Sequence, residues 1–80
     1  MVTLTLISRA YCHLCHDMEQ ALVSLAAELG AAVDVLDVDA DPSLEVLYDQ
    51  LVPVLLHDDV ELCHYFLDDA KVRDYLGKIR

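Results

Sequence analysis

The sequence predicts one small α/β domain with its elements in the order βαβ, α, ββα, and three observations predict it. The chain has 80 residues, fewer than the ~100 to 150 of a typical domain, so it builds one core and no interdomain cleft. Its residues are 56% apolar with only 2 Gly and 2 Pro, too hydrophobic and too poor in breakers for a disordered chain. Two β-rich runs near the N-terminus flank one long stretch of helical periodicity, which calls for parallel strands joined by a crossover helix.

Val2 to Ser8 alternates apolar residues with Thr. It reads as a strand, and Ile7 on its second face implies burial on both sides, hence a central position. From Leu14 the apolar residues recur at Met18, Ala21, Leu22, Leu25 and Leu29, a helical spacing held for roughly four turns. The first helix is expected from about Cys12 to Leu29, with Gly30 as its C-terminal cap. Val33 to Val38 is the second strand, parallel to the first across a right-handed crossover. Asp41 is an N-cap followed by Pro42 at the first helical position, and Leu44, Leu47, Tyr48 and Leu51 form the apolar side of a short helix. Pro53 to His57 and Val60 to His64 read as strands around Asp58-Asp59, a hairpin without the glycine such loops prefer. Asp68 or Asp69 caps a last helix with an expected buried stripe of Val72, Tyr75, Leu76 and Ile79.

Charge and cysteine usage narrow the function. The net charge is -10, from 15 acidic against 5 basic residues, and Lys71, Arg73, Lys78 and Arg80 all lie in the last ten positions. Those four read as cations complementing a helix C-terminus. Arg9 is the only cation before them, so a nucleic-acid groove is excluded for want of clustered Lys and Arg. No apolar run approaches the ~20 residues that span a bilayer, and Met1 leads into Val-Thr-Leu-Thr-Leu without a basic signal-peptide segment. A cytoplasmic protein without a membrane partner is expected. Three cysteines in a reducing compartment read as catalytic or metal-binding, and an odd count argues against a disulfide framework.

Cys12-His13-Leu14-Cys15 falls where the first strand passes into the long helix. A cysteine at a helix start faces unpaired backbone N-H groups and the positive end of the dipole, both of which favour thiolate over thiol. Cys15, three residues on, lies one turn up the same face, within reach of the ~5.5 Å Cα separation a disulfide prefers. A nucleophile and a resolving thiol follow from that placement.

With this motif and Val52-Pro53 opening the third strand, the whole chain resembles a thioredoxin-fold domain, nearest to small glutaredoxin-like proteins of bacterial type. The resemblance implies a four-stranded mixed sheet of order 2-1-3-4, with the first and third helices on one face and the second on the other. It implies a thiol-disulfide oxidoreductase in which Cys12 attacks, Cys15 resolves, and Pro53 is a cis-proline beside them. The substrate is a disulfide-containing protein or small molecule. Glutathione or a dithiol reductase restores the pair, glutathione being a co-substrate and no cofactor being bound. The backbone at Val52 pairs with an extended substrate. Tyr11, read from its place before the helix, either offers substrate a flat contact or covers the helix end. Arg9, three residues before Cys12, stands where many glutaredoxins meet the glycine carboxylate of glutathione; its equal alternative is a solvated loop residue. Asp68 and Asp69 stand at the start of the last helix, where that family binds the glutamyl end. Two departures bear on glutathione: His13-Leu14 replaces the usual Pro-Tyr, and Phe66-Leu67 replaces a Gly-Gly pair.

Other readings attach to the same residues. His16, at i+4 from Cys12, shares its helix face and is either a proton shuttle or a solvated histidine, the latter being favoured. Cys63 reads as a small buried hydrophobe. Cys12-His13-Leu14-Cys15-His16 also meets the C-x-x-C-H pattern for haem attachment, but here the pattern ends a strand inside an α/β unit. Zinc or an iron-sulfur cluster on Cys12, Cys15, His16, Cys63 and His64 is an alternative. It is weakened because adjacent strand residues such as Cys63 and His64 point to opposite faces. A non-catalytic binding module that keeps the fold is a third reading.

Overall fold

The computed structural model describes residues 2–58 and 60–79. Its elements are β1 (Thr3–Ser8), α1 (His13–Leu29), β2 (Ala32–Asp37), α2 (Pro42–Tyr48), β3 (Val54–His57), β4 (Val60–His64) and α3 (Asp69–Ile79), with a single 3-10 turn at Val38–Ala40 after β2. The strands form one mixed sheet in the order β2-β1-β3-β4. β1 pairs parallel with β2, Thr3 opposite Ala32, and antiparallel with β3, Leu6 opposite Leu55. β4 closes the edge antiparallel to β3, with a bulge between Leu55 and Leu56. This is the architecture expected from the sequence, and β1 is a central strand as its two-sided apolarity requires.

Each face of the sheet carries its own core. Leu4, Leu6, Leu55 and Leu62 pack against Met18, Leu22 and Leu25 of α1 and Val72 and Leu76 of α3. Ile7, Val54 and Leu56 point to the opposite face, where they meet Val38, Val52 and Cys15 under Leu44, Tyr48 and Leu51. The alternation of Leu6 with Ile7, and of Leu55 with its neighbours, is the period-2 geometry of a strand with helices on both sides. Burying one such Leu or Ile side chain is worth about 1.5–3 kcal/mol, so these two small clusters supply most of what holds the sheet between its helices.

Several local expectations shift. α1 begins at His13, and Cys12 is its N-cap, with φ -107° and ψ 117°, so Cys12 sits just ahead of the first turn. Gly30 ends the helix at φ 70°, the left-handed conformation that favours glycine. β2 is one residue earlier than expected, and Val38 passes into the 3-10 turn, fully buried. In α2, Leu47 is 62% exposed. The short helix leans on Leu44 and Tyr48, one turn apart, and leaves Leu47 on its outer flank. In α3, Ile79 is exposed, because it lies in the last turn beyond Leu76, and Tyr75 is half-buried, its hydroxyl 2.7 Å from Nδ1 of His57. His57 and Val60 pair across a two-residue loop. Asp58 takes φ 54° there, which Asp tolerates better than most residues; Asp59, its expected partner in the turn, lies outside the described residues, as does Arg80. No helix among the described residues is long and apolar enough to cross a membrane.

Candidate active site

The N-terminus of α1 is where the two cysteines meet, and they meet unequally. Cys12 is half-buried, whereas Cys15 has no accessible surface. As N-cap, Cys12 offers its Sγ to the backbone N-H of Cys15 at 3.2 Å, doing with sulfur what a Ser or Asp oxygen does at other helix starts. Its own N-H donates to the carbonyl of Arg9 at 3.2 Å, and its carbonyl accepts from His16 N-H at 3.2 Å. Both cysteines are free thiols. Burial pushes the Cys15 thiol up to about 11, helped by its hydrogen bond with Cys12. Hydrogen bonds from the Arg9 backbone and the Ser8 side chain pull the other way. An open sulfur at a helix end and a buried, protonated one behind it can act in sequence.

The floor of the site is the α2-side core. Cys15 is part of it with Ile7, Val38, Val52, Val54 and Leu56, and Cys12 packs on its edge. The Val52-Pro53 peptide bond is cis, and both side chains are buried. The Pro53 carbonyl accepts the N-H of Tyr65 at 2.8 Å, and the Tyr65 hydroxyl donates to the carbonyl of Gln50 at 2.8 Å. The turn after β4 is thereby fastened to both ends of the segment carrying Val52. Tyr65 itself has φ 64°, a conformation that costs a bulky residue. Phe66 is largely exposed beside it. Phe66 and Leu67 line a cavity of about 100 Å³ with Leu14 and Met18 of α1.

The remaining candidates are less alike. Tyr11 is 77% exposed, with the Arg9 guanidinium 5.6 Å from its ring centre. Arg9 is gripped by two carboxylates, Asp39 at 3.0–3.2 Å and Asp49, and its Nη1 donates to the Asp49 carbonyl at 3.3 Å. These carboxylates raise its already high pKa. Asp68 and Asp69 line a cleft of about 520 Å³ between β4 and α3 whose walls include Cys63 but neither Cys12 nor Cys15. There Asp68 caps α3 by accepting the Lys71 N-H at 3.1 Å, and Asp69 pairs with Arg73. Cys63 is half-buried, and burial raises its pKa. His16 is exposed, on the side of α1 toward Val35 and Asp37.

Three residues at the site escaped the sequence reading. Ser8 is buried at the end of β1 and works against the rise in the Cys15 pKa; its only mark in the sequence is a polar residue closing an otherwise apolar run. Asp39 and Asp49 hold Arg9, but nothing in an acidic stretch distinguishes them from Asp37, Asp41 or Glu45. Among the described residues no three His, Cys, Asp or Glu side chains gather as a metal site.

Residues 3–77 match the family model described as "Glutaredoxin-like domain (DUF836)". Among solved structures, the chain is similar to protein Ne2328 from Nitrosomonas europaea, with 37% identity, TM-score 0.81 and coverage of 92% of this chain and 89% of that one. Protein XcR50 from X. campestris is 34% identical, with TM-score 0.68 over 94% and 96% of the two chains. Chloroplastic thioredoxin z shares the fold at 22% identity and TM-score 0.75, over 99% of this chain and 78% of its own. No curated protein sequence gives a significant match. A cysteine pair at the head of α1, a cis-proline bond beside it and a family model spanning nearly the whole chain agree, and the chain belongs to the glutaredoxin-like domain family, whose fold supports thiol redox function in general.

Proposed function

We propose that the domain is a thiol-disulfide oxidoreductase working through Cys12 and Cys15. The Cys12 thiolate attacks one sulfur of a substrate disulfide; the substrate S-S bond breaks, its other sulfur leaves as a thiolate, and a mixed disulfide forms. Cys15, once deprotonated, attacks the Cys12 sulfur and releases the second substrate thiol, leaving a Cys12-Cys15 disulfide. Two electrons have passed to the substrate, and a thiol reductant returns them. The observation that carries this reading is the inequality of the pair: Cys12 is partly open at a helix N-terminus and Cys15 is fully buried within hydrogen-bond reach of it.

Tyr11, Val52 and Pro53 form the substrate face in this reading. Arg9, Asp68 and Asp69 are already engaged with Asp39 and Asp49, with the Lys71 N-H and with Arg73. That favours a protein or small-molecule disulfide over tightly held glutathione, which serves as a reductant in collision rather than as a bound ligand. A reducing compartment such as the cytoplasm suits a pair that must start as thiols.

Mild oxidation of purified protein, followed by mass spectrometry and elemental analysis, tests the proposal. A Cys12-Cys15 disulfide with substoichiometric zinc or iron supports it. A tightly held metal equivalent that protects both thiols replaces it with a metal site, and thiols that neither pair nor bind metal leave a non-catalytic binding module.

A further inference from the structure

We propose that Tyr65 is a positioning residue: from the turn after β4 it holds residues 50 to 53 so that the backbone of Val52 stands ready to pair with an extended polypeptide substrate. The inference rests on the oxidoreductase reading, in which Val52 belongs to the substrate face, and it names polypeptide disulfides as the class that gains. Its basis is that one residue reaches both ends of that segment. The Tyr65 N-H donates to the Pro53 carbonyl at 2.8 Å, and the Tyr65 hydroxyl donates to the Gln50 carbonyl at 2.8 Å.

The two contacts differ in what they require. The N-H bond continues the β3–β4 ladder one position past the Val54–His64 pair, and any residue but proline supplies it. The hydroxyl bond requires the tyrosine. Glycine would suit the φ of 64° at this position without strain, but it would leave the Gln50 carbonyl without this donor. The ring is itself held, with His64 edge-on at 4.8 Å, and it borders the small cavity beside Leu14, which lies between the two cysteines in the chain. Within the anchored stretch the Leu51 N-H donates to the Tyr48 carbonyl at 2.9 Å, and the Val52 side chain is part of the α2-side core. Among the described residues no backbone group bonds to the N-H or carbonyl of Val52. An edge of this kind takes an extended chain through main-chain hydrogen bonds. Such bonds depend on distance and angle, so an edge held at both flanks binds better than a loose one.

The test compares two pyridyl disulfides in single turnovers, with protein carrying Cys63→Ala in excess. One joins 4-thiopyridine to the central cysteine of an uncharged eight-residue peptide; the other joins it to 2-mercaptoethanol, which has no main chain to pair. In each, the Cys12 thiolate attacks the sulfur of the peptide or of mercaptoethanol, the S-S bond breaks, 4-thiopyridone leaves, and a mixed disulfide with Cys12 forms. The parent protein should reach its half-maximal rate at lower concentration with the peptide. Tyr65→Phe should raise that concentration about three- to tenfold, the range one lost hydrogen bond supports, while the maximal rate and the rate on the mercaptoethanol disulfide stay within about twofold. Tyr65→Gly keeps the N-H and relieves the backbone; it should show the same defect, and it carries the test if Tyr65→Phe does not fold. An unchanged half-saturation for the peptide in folded variants overturns the proposal. So does an equal loss on both disulfides, which would place the effect of the hydroxyl on the thiol pair or on the fold. A parent protein that handles the two disulfides alike overturns it as well, because no edge at Val52 is then in use. If the parent releases thiopyridone no faster than its Cys12→Ser variant, the oxidoreductase reading itself fails.

Discussion

The Cys12 sulfur accepts the backbone N-H of Cys15 at 3.2 Å, so the two thiols are coupled before any bond joins them. The contact arises because Cys12 occupies the N-cap and Cys15 is the third residue of α1, the spacing at which a cap side chain reaches an orphan N-H. The same geometry sets the order of reaction: the residue that caps the helix is only half-buried, and the residue whose N-H it receives is sealed in the core.

Cys12 should therefore be alkylated first. With limiting iodoacetamide near neutral pH, peptide mapping should place the first label on Cys12, with Cys63 slower and Cys15 last, in line with half-burial of the first two and complete burial of the third. Early label on Cys15 would reverse the assignment of nucleophile and resolving thiol.

Burial, reinforced by the hydrogen bond with Cys12, raises Cys15 from an ordinary 9.0 to about 11, which sets a pH window. The native reduced protein favours the protonated thiol. This contribution to stability is complete below pH 9 and is lost as pH rises toward 11. Reduced wild-type protein should lose stability over that window relative to Cys15→Ala, as read by chemical unfolding at several pH values. The resolving step should speed up about tenfold per pH unit below the Cys15 pKa. A rate that levels off near pH 8, or a stability difference that does not change with pH, would contradict it.

What the sequence disclosed follows what is periodic or local. The Leu4, Leu6 and Ile7 alternation, the α1 stripe and the Gly30 stop declared the βαβ unit, and Cys12 and Cys15 stood out because their spacing at a strand-to-helix junction is local. Partners distant along the chain were hidden. Arg9 reads as a lone cation until Asp39, 30 residues away, and Asp49, 40 away, are folded against it. Leu47 and Ile79 misled because a helical stripe says which residues are neighbours, and only the packed sheet decides where the stripe ends. The strained backbone at Tyr65 has no local mark either, since glycine is the residue that normally announces a left-handed turn.

The same contrast can be measured in stability. Leu22→Ala, in the α1–α3 core and fully buried, should cost about 2–5 kcal/mol by cavity formation. Leu47→Ala, at an exposed position of α2, should stay within about 0.5 kcal/mol. Denaturant midpoints decide it, and comparable losses at both positions would mean that Leu47 is covered in solution.

Glutathione-coupled turnover should be slow and should rise with salt. Residues 1 to 70 hold 14 acidic side chains against 1 basic, and glutathione is itself an anion, so long-range steering between them is repulsive. The cations able to offset this are partly spent. Arg9 is bound to Asp39 and Asp49, Arg73 to Glu28 and Asp69, and Lys78 to Asp74. Phe66 and Leu67 stand where the resemblance places a glycine pair, so the close backbone approach that glycine allows is not expected there. Raising ionic strength from about 0.02 to 0.2 M contracts the screening length to less than 10 Å, and the rate should increase about two- to fivefold. A fast rate that falls as salt is added would show that attraction by local cations outweighs the acidic surface.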